Sequence, residues 1–133
     1  MLLGDEDTIK RAKRFRKMWG GGMRQVGILA AAANYALDNN QVLLADDHRR
    51  AKEFALFVKE KCSKLYIEPE NVESNIVLFD VLEEEAASAL AKLESHRVRM
   101  VQFGPQTIRA TFHFQVTDDE ARRVHQIFSE LFG

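Results

Sequence analysis

Cysteine is nearly absent from this chain of 133 residues, and so is any imbalance of charge. The single cysteine, Cys62, excludes an internal disulfide framework and fits a reducing compartment, so the expected location is cytoplasmic. Nineteen Lys and Arg stand against twenty Asp and Glu, which removes any global drive toward nucleic acid or toward acidic partners. Long apolar runs are missing too. The longest, Val26 to Ala33, falls far short of the ~20 residues that a membrane span needs. The opening Met1-Leu2-Leu3-Gly4-Asp5-Glu6-Asp7 turns acidic at once, unlike a signal peptide. The four histidines are scattered and offer no metal-ligand spacing. No G-x-S-x-G, P-loop or dinucleotide fingerprint occurs. Carboxylate pairs stand only at helix starts and on helix faces, so the residues alone display no reaction centre.

What is present is the composition of a folded domain: 46% apolar and 29% charged residues, in a length sufficient for one core. The organising stretch is Gly20-Gly21-Gly22-Met23-Arg24-Gln25. Each glycine inside a helix costs roughly 1 kcal/mol relative to Ala, so the three read as a flexible elbow with approachable backbone amides. Arg24 is expected to open the next helix. An open helix N-terminus with a guanidinium beside it is an anion site with phosphate as the natural guest; the alternative is a plain loop with a surface arginine. Upstream, Met1-Leu2-Leu3-Gly4 reads as the tail of a strand, and Thr8 to Trp19 as a helix after the acidic start of Asp5 to Asp7. Lys10, Arg11, Lys13, Arg14, Arg16 and Lys17 make that helix basic. It lacks the aromatic interleaving of a nucleic-acid binder and the wide apolar face of a membrane-surface helix, so neither partner is expected and the charges read mostly as a solvated face.

Downstream, Arg24 to Asp38 reads as a helix that is apolar nearly all round. Such a helix requires burial on several sides, by more protein than a short chain supplies, and in the isolated chain it leaves an apolar patch. Asn39-Asn40 ends it. Gln41 to about Leu65 reads as a long amphipathic helix bridging two domains, with Leu44, Ala51, Phe54, Ala55, Val58 and Cys62 on its apolar stripe. His48 is expected to be exposed and Cys62 to be core. Tyr66 to Ser74 is a polar connector with Pro69, and Asn75 to Val81 a buried-type strand. Glu83 to Ser95 is a helix with Ala86, Leu90 and Leu93 inward. Val98 to Phe103 and Thr107 to Val116 form a hairpin about Gly104-Pro105-Gln106. A T-x-x-E capping box at Thr117 to Glu120 opens the last helix, with Ala121, Val124, Ile127, Phe128 and Leu131 on one face. The expected fold class is α/β, with helices followed by an α+β-like β-α-β-β-α small domain. In the second hairpin strand Ile108, Ala110, Phe112 and Phe114 should share the core face, and Thr107, Arg109, Thr111 and His113 the other. Arg109 is then either a bidentate carboxylate binder or an ordinary exposed strand arginine. His113 reads as structural or solvent-exposed.

The run Arg14-Phe15-Arg16-Lys17-Met18-Trp19-Gly20-Gly21-Gly22-Met23-Arg24-Gln25-Val26-Gly27 closely resembles the R-x-R-K-x-x-G-G-G-M-R-Q-x-G signature of low-specificity L-threonine aldolases. The resemblance continues through Ala30 to Leu37, Leu44-Ala45-Asp46-Asp47-His48 and Asn75-Ile76-Val77. It reaches Arg109 to Val116, close to the family's R-x-x-T-H-x-D-V, with Gln115 where the family usually has Asp. It implies a lyase of the aminotransferase-like fold type I that uses pyridoxal 5′-phosphate (PLP) to cleave L-threonine or L-allo-threonine to glycine and acetaldehyde. By the same resemblance Arg24 and Lys17 lie near the cofactor phosphate, Arg24 often across a subunit interface, and Arg109 holds the substrate carboxylate. The family's cofactor-bearing lysine lies in an S-K-G segment just before the strand that Met1 to Gly4 resembles. The resemblance therefore implies the C-terminal portion of a threonine aldolase, inactive alone and with no covalently bound cofactor. In the block-by-block layout it implies, residues 1–40 are a remnant of the large cofactor domain and 41–133 the bridging helix and small domain. Implied partners are an amino-acid substrate and further aldolase chains in a homo-oligomer. The alternatives are a non-catalytic module that completes an aldolase site and, more remotely, a basic-helix nucleic-acid binder.

Overall fold

Residues 2–133 are described by a computed structural model; Met1, the start of the expected strand tail, lies outside them. Leu2, Leu3 and Gly4 form no strand. A strand needs a neighbour to take its backbone hydrogen bonds, and the unit to which they belong holds only helices among the described residues. The chain divides into two compact units, Met1–Asn39 and Asn40–Gly133.

The first unit contains α1 (Glu6–Met18) and α2 (Gly27–Asn39). Asp5 caps α1, its carboxylate accepting from the Thr8 amide at 2.8 Å and the Thr8 hydroxyl at 2.9 Å. Glu6 and Asp7 in the first turn and Arg16 and Lys17 in the last complement the helix dipole. α1 then stops in a Schellman motif: the Gly20 amide donates to the Lys17 carbonyl at 3.2 Å and the Gly21 amide to the Arg16 carbonyl at 2.7 Å. Gly20 takes the left-handed φ of +75° that this motif requires. α2 begins three residues later than expected, because Gln25 at φ 52° breaks the helical path. It ends with the Asn39 side-chain amide donating to the Tyr35 carbonyl at 2.8 Å. No side chain of α1 or α2 is buried. The burial that α2's composition calls for is not supplied within its unit, and Val26, Ile28, Leu29, Tyr35 and Leu37 all stand exposed.

The second unit runs α3 (Leu44–Lys61), β1 (Leu65–Tyr66), β2 (Ile76–Val81), α4 (Ala86–Ser95), β3 (Val101–Gln102), β4 (Thr107–Thr111) and α5 (Asp118–Phe132). Short 3-10 turns cover Gln41–Leu43 and Pro69–Asn71. The four strands form an antiparallel sheet in the order β1-β2-β4-β3. The expected β-α-β-β-α order is present, with β1 added at the sheet edge where the expected helix from Gln41 gives way to the polar connector. Two residues suffice there, because Leu65 and Tyr66 pair with Val81 and Asp80. α3 is shorter at both ends than the expected helix, and Leu44 at its start is 49% exposed rather than inward.

β2 alternates strictly, with Val77, Phe79 and Val81 buried and Ile76 and Leu78 exposed. The buried-type strand expected here is buried on one face, the one that meets the helices. Ile108, Ala110 and Phe112 join that face from β4 and its end. Phe114 does not: β4 ends at Thr111, the alternation lapses, and the ring is exposed. Against the inner face pack Phe54, Ala55 and Val58 of α3, Ala89 and Leu93 of α4, and Ile127, Phe128 and Phe132 of α5. The rings of Phe54, Phe79 and Phe128 meet edge to face, with centroids 5.0–6.1 Å apart. α5 is fixed at its start by the expected capping box, in which the Thr117 hydroxyl accepts from the Glu120 amide and Glu120 accepts from the Thr117 amide.

His125 of α5 stacks on Phe57 at 4.3 Å with the rings 6° from parallel. Its Nε2 is buried without a hydrogen-bond partner. Burial lowers its pKa, opposed only by the charge of Glu53. A depressed histidine pKa means that the folded state resists protonation more than the unfolded chain does. The stability this confers is complete above about pH 6.5 and is lost as pH falls below that toward the folded value. The thermal midpoint should therefore fall between pH 7 and pH 5, and His125→Phe, which keeps the stack and removes the titration, should flatten most of that slope. Equal slopes in calorimetric scans of both proteins would refute the assignment. Because residues 2–39 have no buried side chain, their removal should leave the melting transition of 40–133 intact and should reduce binding of an apolar dye. A lost transition in the shortened chain would contradict this.

Candidate functional site

Lys17 lies in the last turn of α1, and Arg24 in the turn that precedes α2. Both are exposed. The elbow between them is more ordered than the three glycines imply. The amides of Gly20 and Gly21 close on α1 carbonyls and are not free for a ligand. A Cβ at Gly21 would approach the Arg16 side chain to 3.0 Å, whereas one at Gly22 would meet nothing within 4 Å. The donors left for an anion therefore begin after Gly21. α2 carries no acidic residue in its first turn, so its positive dipole end has no carboxylate of its own. That donor set, with Arg24 beside it, is chemically suited to a phosphate group such as that of PLP.

Arg109 stands in the middle of β4, between Leu78 of β2 and Val101 of β3. All three point away from the helices, on the face opposite the core. The flanks are apolar, and Arg109 makes no ion pair among the described residues. Its Nε is buried and has no hydrogen-bond partner. Burying part of a guanidinium without a partner is costly, and a bidentate carboxylate is the ligand that satisfies its planar fork. In the next row of the face the Thr107 hydroxyl donates to the Asp80 carboxylate at 2.6 Å. Asp80 was not foreseen as part of this face. The period-two count from Arg109 to Thr107 was the available signal, but the cross-strand register that brings Asp80 opposite is not contained in it. Lys17 and Arg24 belong to the first unit and Arg109 to the second.

Several other reactive side chains of the second unit are engaged in its packing or ion pairs. Arg49 and Arg50 of α3 both bond the Asp118 carboxylate at the start of α5, at 2.9 Å and 2.6 Å, and hold its pKa down at about 2. Asp47 of α3 is buried, its Oδ1 3.6 Å from the Arg50 guanidinium and without a hydrogen-bond partner. Cys62 is core, as expected, and burial pushes its thiol up to about 11, which removes it as a nucleophile at neutral pH. His48 and His113 are exposed. No group of metal-ligating side chains is found among the described residues, and no helix there is long and apolar enough to cross a membrane.

The family model described as Beta-eliminating lyase matches residues 1–84. The chain is 33% identical over 135 residues to a probable low-specificity L-threonine aldolase 2 of Arabidopsis thaliana, covering 99% of this chain and 38% of that protein. It is 39% identical over 124 residues to a low specificity L-threonine aldolase of Escherichia coli, covering 93% of this chain and 35% of that protein. The chain thus spans little more than a third of the length of these relatives. Among solved structures it is similar to a C-DES mutant with glycine covalently linked to the PLP cofactor. The TM-score is 0.56 at 18% identity, over 65% of this chain and 23% of that one. That likeness is one of fold, the type I fold of PLP-dependent enzymes.

Proposed function

This chain belongs to the Beta-eliminating lyase family, and on that premise we propose that it is the C-terminal portion of a low-specificity L-threonine aldolase. The reaction is cleavage of L-threonine or L-allo-threonine to glycine and acetaldehyde. The observation that carries the reading is Arg109, a partly buried guanidinium between apolar neighbours whose Nε has no partner. In the complete site it binds the amino-acid carboxylate in a fork and fixes the orientation of the Cα–Cβ bond that breaks. Arg24 and Lys17 supply positive charge to the cofactor phosphate, together with those amides before and at the start of α2 that bond no carbonyl; the amides of Ile28 and Ala30 are taken by Gln25 and Val26. Arg24 does so across a subunit interface of a homo-oligomer. PLP, when bound, supplies the electron sink that this C–C cleavage requires.

The reactive lysine on this reading is not one of the lysines in these 133 residues, so the chain alone turns over no threonine. The first unit, without a buried side chain of its own, is read as belonging to the large cofactor domain. The second, with its own core, is read as the small domain that carries the carboxylate clamp.

A chimera tests the proposal. The C-terminal third of the Escherichia coli aldolase is replaced by this chain, and glycine release from threonine is measured. The chimera should turn over, and the 133-residue chain with added PLP should not. Arg109→Lys in the chimera should lower kcat/KM about a hundredfold, as two charge-assisted hydrogen bonds of roughly 1.5 kcal/mol each are lost or weakened. A chimera that binds PLP and forms glycine equally well with Arg109→Ala would overturn the role of Arg109. One that binds PLP without cleaving threonine would overturn the function.

A further inference from the structure

α4 and α1 end in the same way. At α4 the Arg97 amide donates to the Glu94 carbonyl at 2.8 Å and the Val98 amide to the Leu93 carbonyl at 2.9 Å. This is again a Schellman motif. The left-handed position is held by Gly20 after α1, but by Arg97, at φ 63°, after α4. A non-glycine residue there strains its own backbone, typically by about 1 kcal/mol or more. Arginine has no local side-chain bond that eases the strain as Asn or Asp would. The helix end gains nothing from arginine here that glycine would not supply better.

The side chain opens onto a cleft of about 320 Å³. The cleft lies where β3 and β4 part. Their pairing extends from Gln102↔Ile108 only to Val101↔Arg109, so residues 97–100 run beside the end of β4 without joining it. Phe112 gives its amide to the Asn75 carbonyl on the β2 side. By the alternation of an antiparallel ladder, Thr111 turns its amide the other way, toward the parted segment. Val98, Met100, Phe112 and Val124 line an apolar floor, and Arg97, Arg99, Arg123 and His113 line the rim. The acid on that rim, Glu120, is engaged by the capping box of α5. Arg99 reaches Glu94 at 3.5 Å and Arg123 donates to the His96 carbonyl at 3.3 Å, while Arg97 has neither ion pair nor side-chain hydrogen bond among the described residues.

We propose that this cleft is a binding site for a small organic oxyanion, a carboxylate or a phosphate monoester on an apolar body, with Arg97 as its principal charge. The apolar body fills the floor, and the oxyanion meets Arg97 and Arg123 at the rim. A volume of about 320 Å³ is at the lower end of small-ligand pockets. The site is independent of Arg109, which does not line it, and stands whether or not the aldolase reading holds.

Titration calorimetry on the full chain, with 3-phenylpropionate and phenyl phosphate as probes, tests the site. Inorganic phosphate and the neutral 3-phenylpropanamide serve as controls. At least one of the two aromatic anions should bind at least tenfold more tightly than either control, and which of them binds better tells carboxylate from phosphate ester. Arg97→Gly should weaken that binding at least tenfold while raising the thermal midpoint by a few degrees, since it removes both the charge and the strain. Arg123→Gln should weaken binding severalfold with the midpoint unchanged. Equal binding by wild type and a folded Arg97→Gly would overturn the proposal. So would affinity for inorganic phosphate matching that of the aromatic anions, which would leave only a charged patch.

Discussion

Phe54 sits where α3, the sheet and α5 meet. Its ring lies edge-on to Phe79 and to Phe128 and 5.8 Å from Phe112, and the residue has no exposed surface. Everything else in the second unit depends on that cluster. Because α3 and α5 both press on one side of the sheet, β2 and β4 must turn Val77, Phe79, Ile108 and Ala110 toward them. Strand alternation then leaves Leu78 and Arg109 no choice but the opposite face. A slip of one residue in β4 would place Arg109 in the aromatic core. The outward placement of Arg109 is thus a consequence of burying phenylalanines. Truncating Phe54 would remove the anchor common to three elements, at a cost of ~3–5 kcal/mol.

Helix ends do comparable work at two places. The C-terminal cap of α1 takes up two of the three glycine amides, which leaves the elbow as an ordered turn. Donors for an anion near Arg24 begin after Gly21 and run to the start of α2, where no side-chain acid competes. The cap of α4 repeats the hydrogen bonds and changes the residue. Glycine at the first position relieves strain, and arginine at the second accepts it and presents a charge to a cleft. Backbone conformation thus distinguishes two motifs that look unrelated in sequence.

The two units differ in how they are held. The second has a continuous core, a capping box and an ion pair joining α3 to α5. The first has well-formed helix ends and no buried side chain. Local signals suffice for a helix to be recognisable, but most helical stability in proteins comes from tertiary packing. A chain that covers little more than a third of its relatives' length, with one helix apolar all round, presents that contrast openly.

The elements of this protein were legible in its residues wherever local chemistry decides the outcome. The acidic start of α1, the capping box at Thr117 to Glu120, the alternation of β4 from Ile108 to Phe112 and the apolar stripe of α3 are written in short-range pattern, and the signature around the glycines carried the family. Arg109 could be placed on the outer face by counting in twos. What the count could not supply was its neighbours: Leu78, Val101 and the nearby Asp80 arrive through cross-strand register, which depends on residues far away in the chain. The end of β4 at Thr111 exposed Phe114 because pairing stopped, and no composition signals where pairing stops. Asp47 went inward although Asp46 and Arg49 beside it in the chain stay exposed, and it lies against Arg50, which also bonds Asp118 of α5. Arg97 took a left-handed backbone because the chain had to turn from α4 into β3 there. These outcomes depend on contacts between distant residues, and the tertiary structure alone brings those residues together.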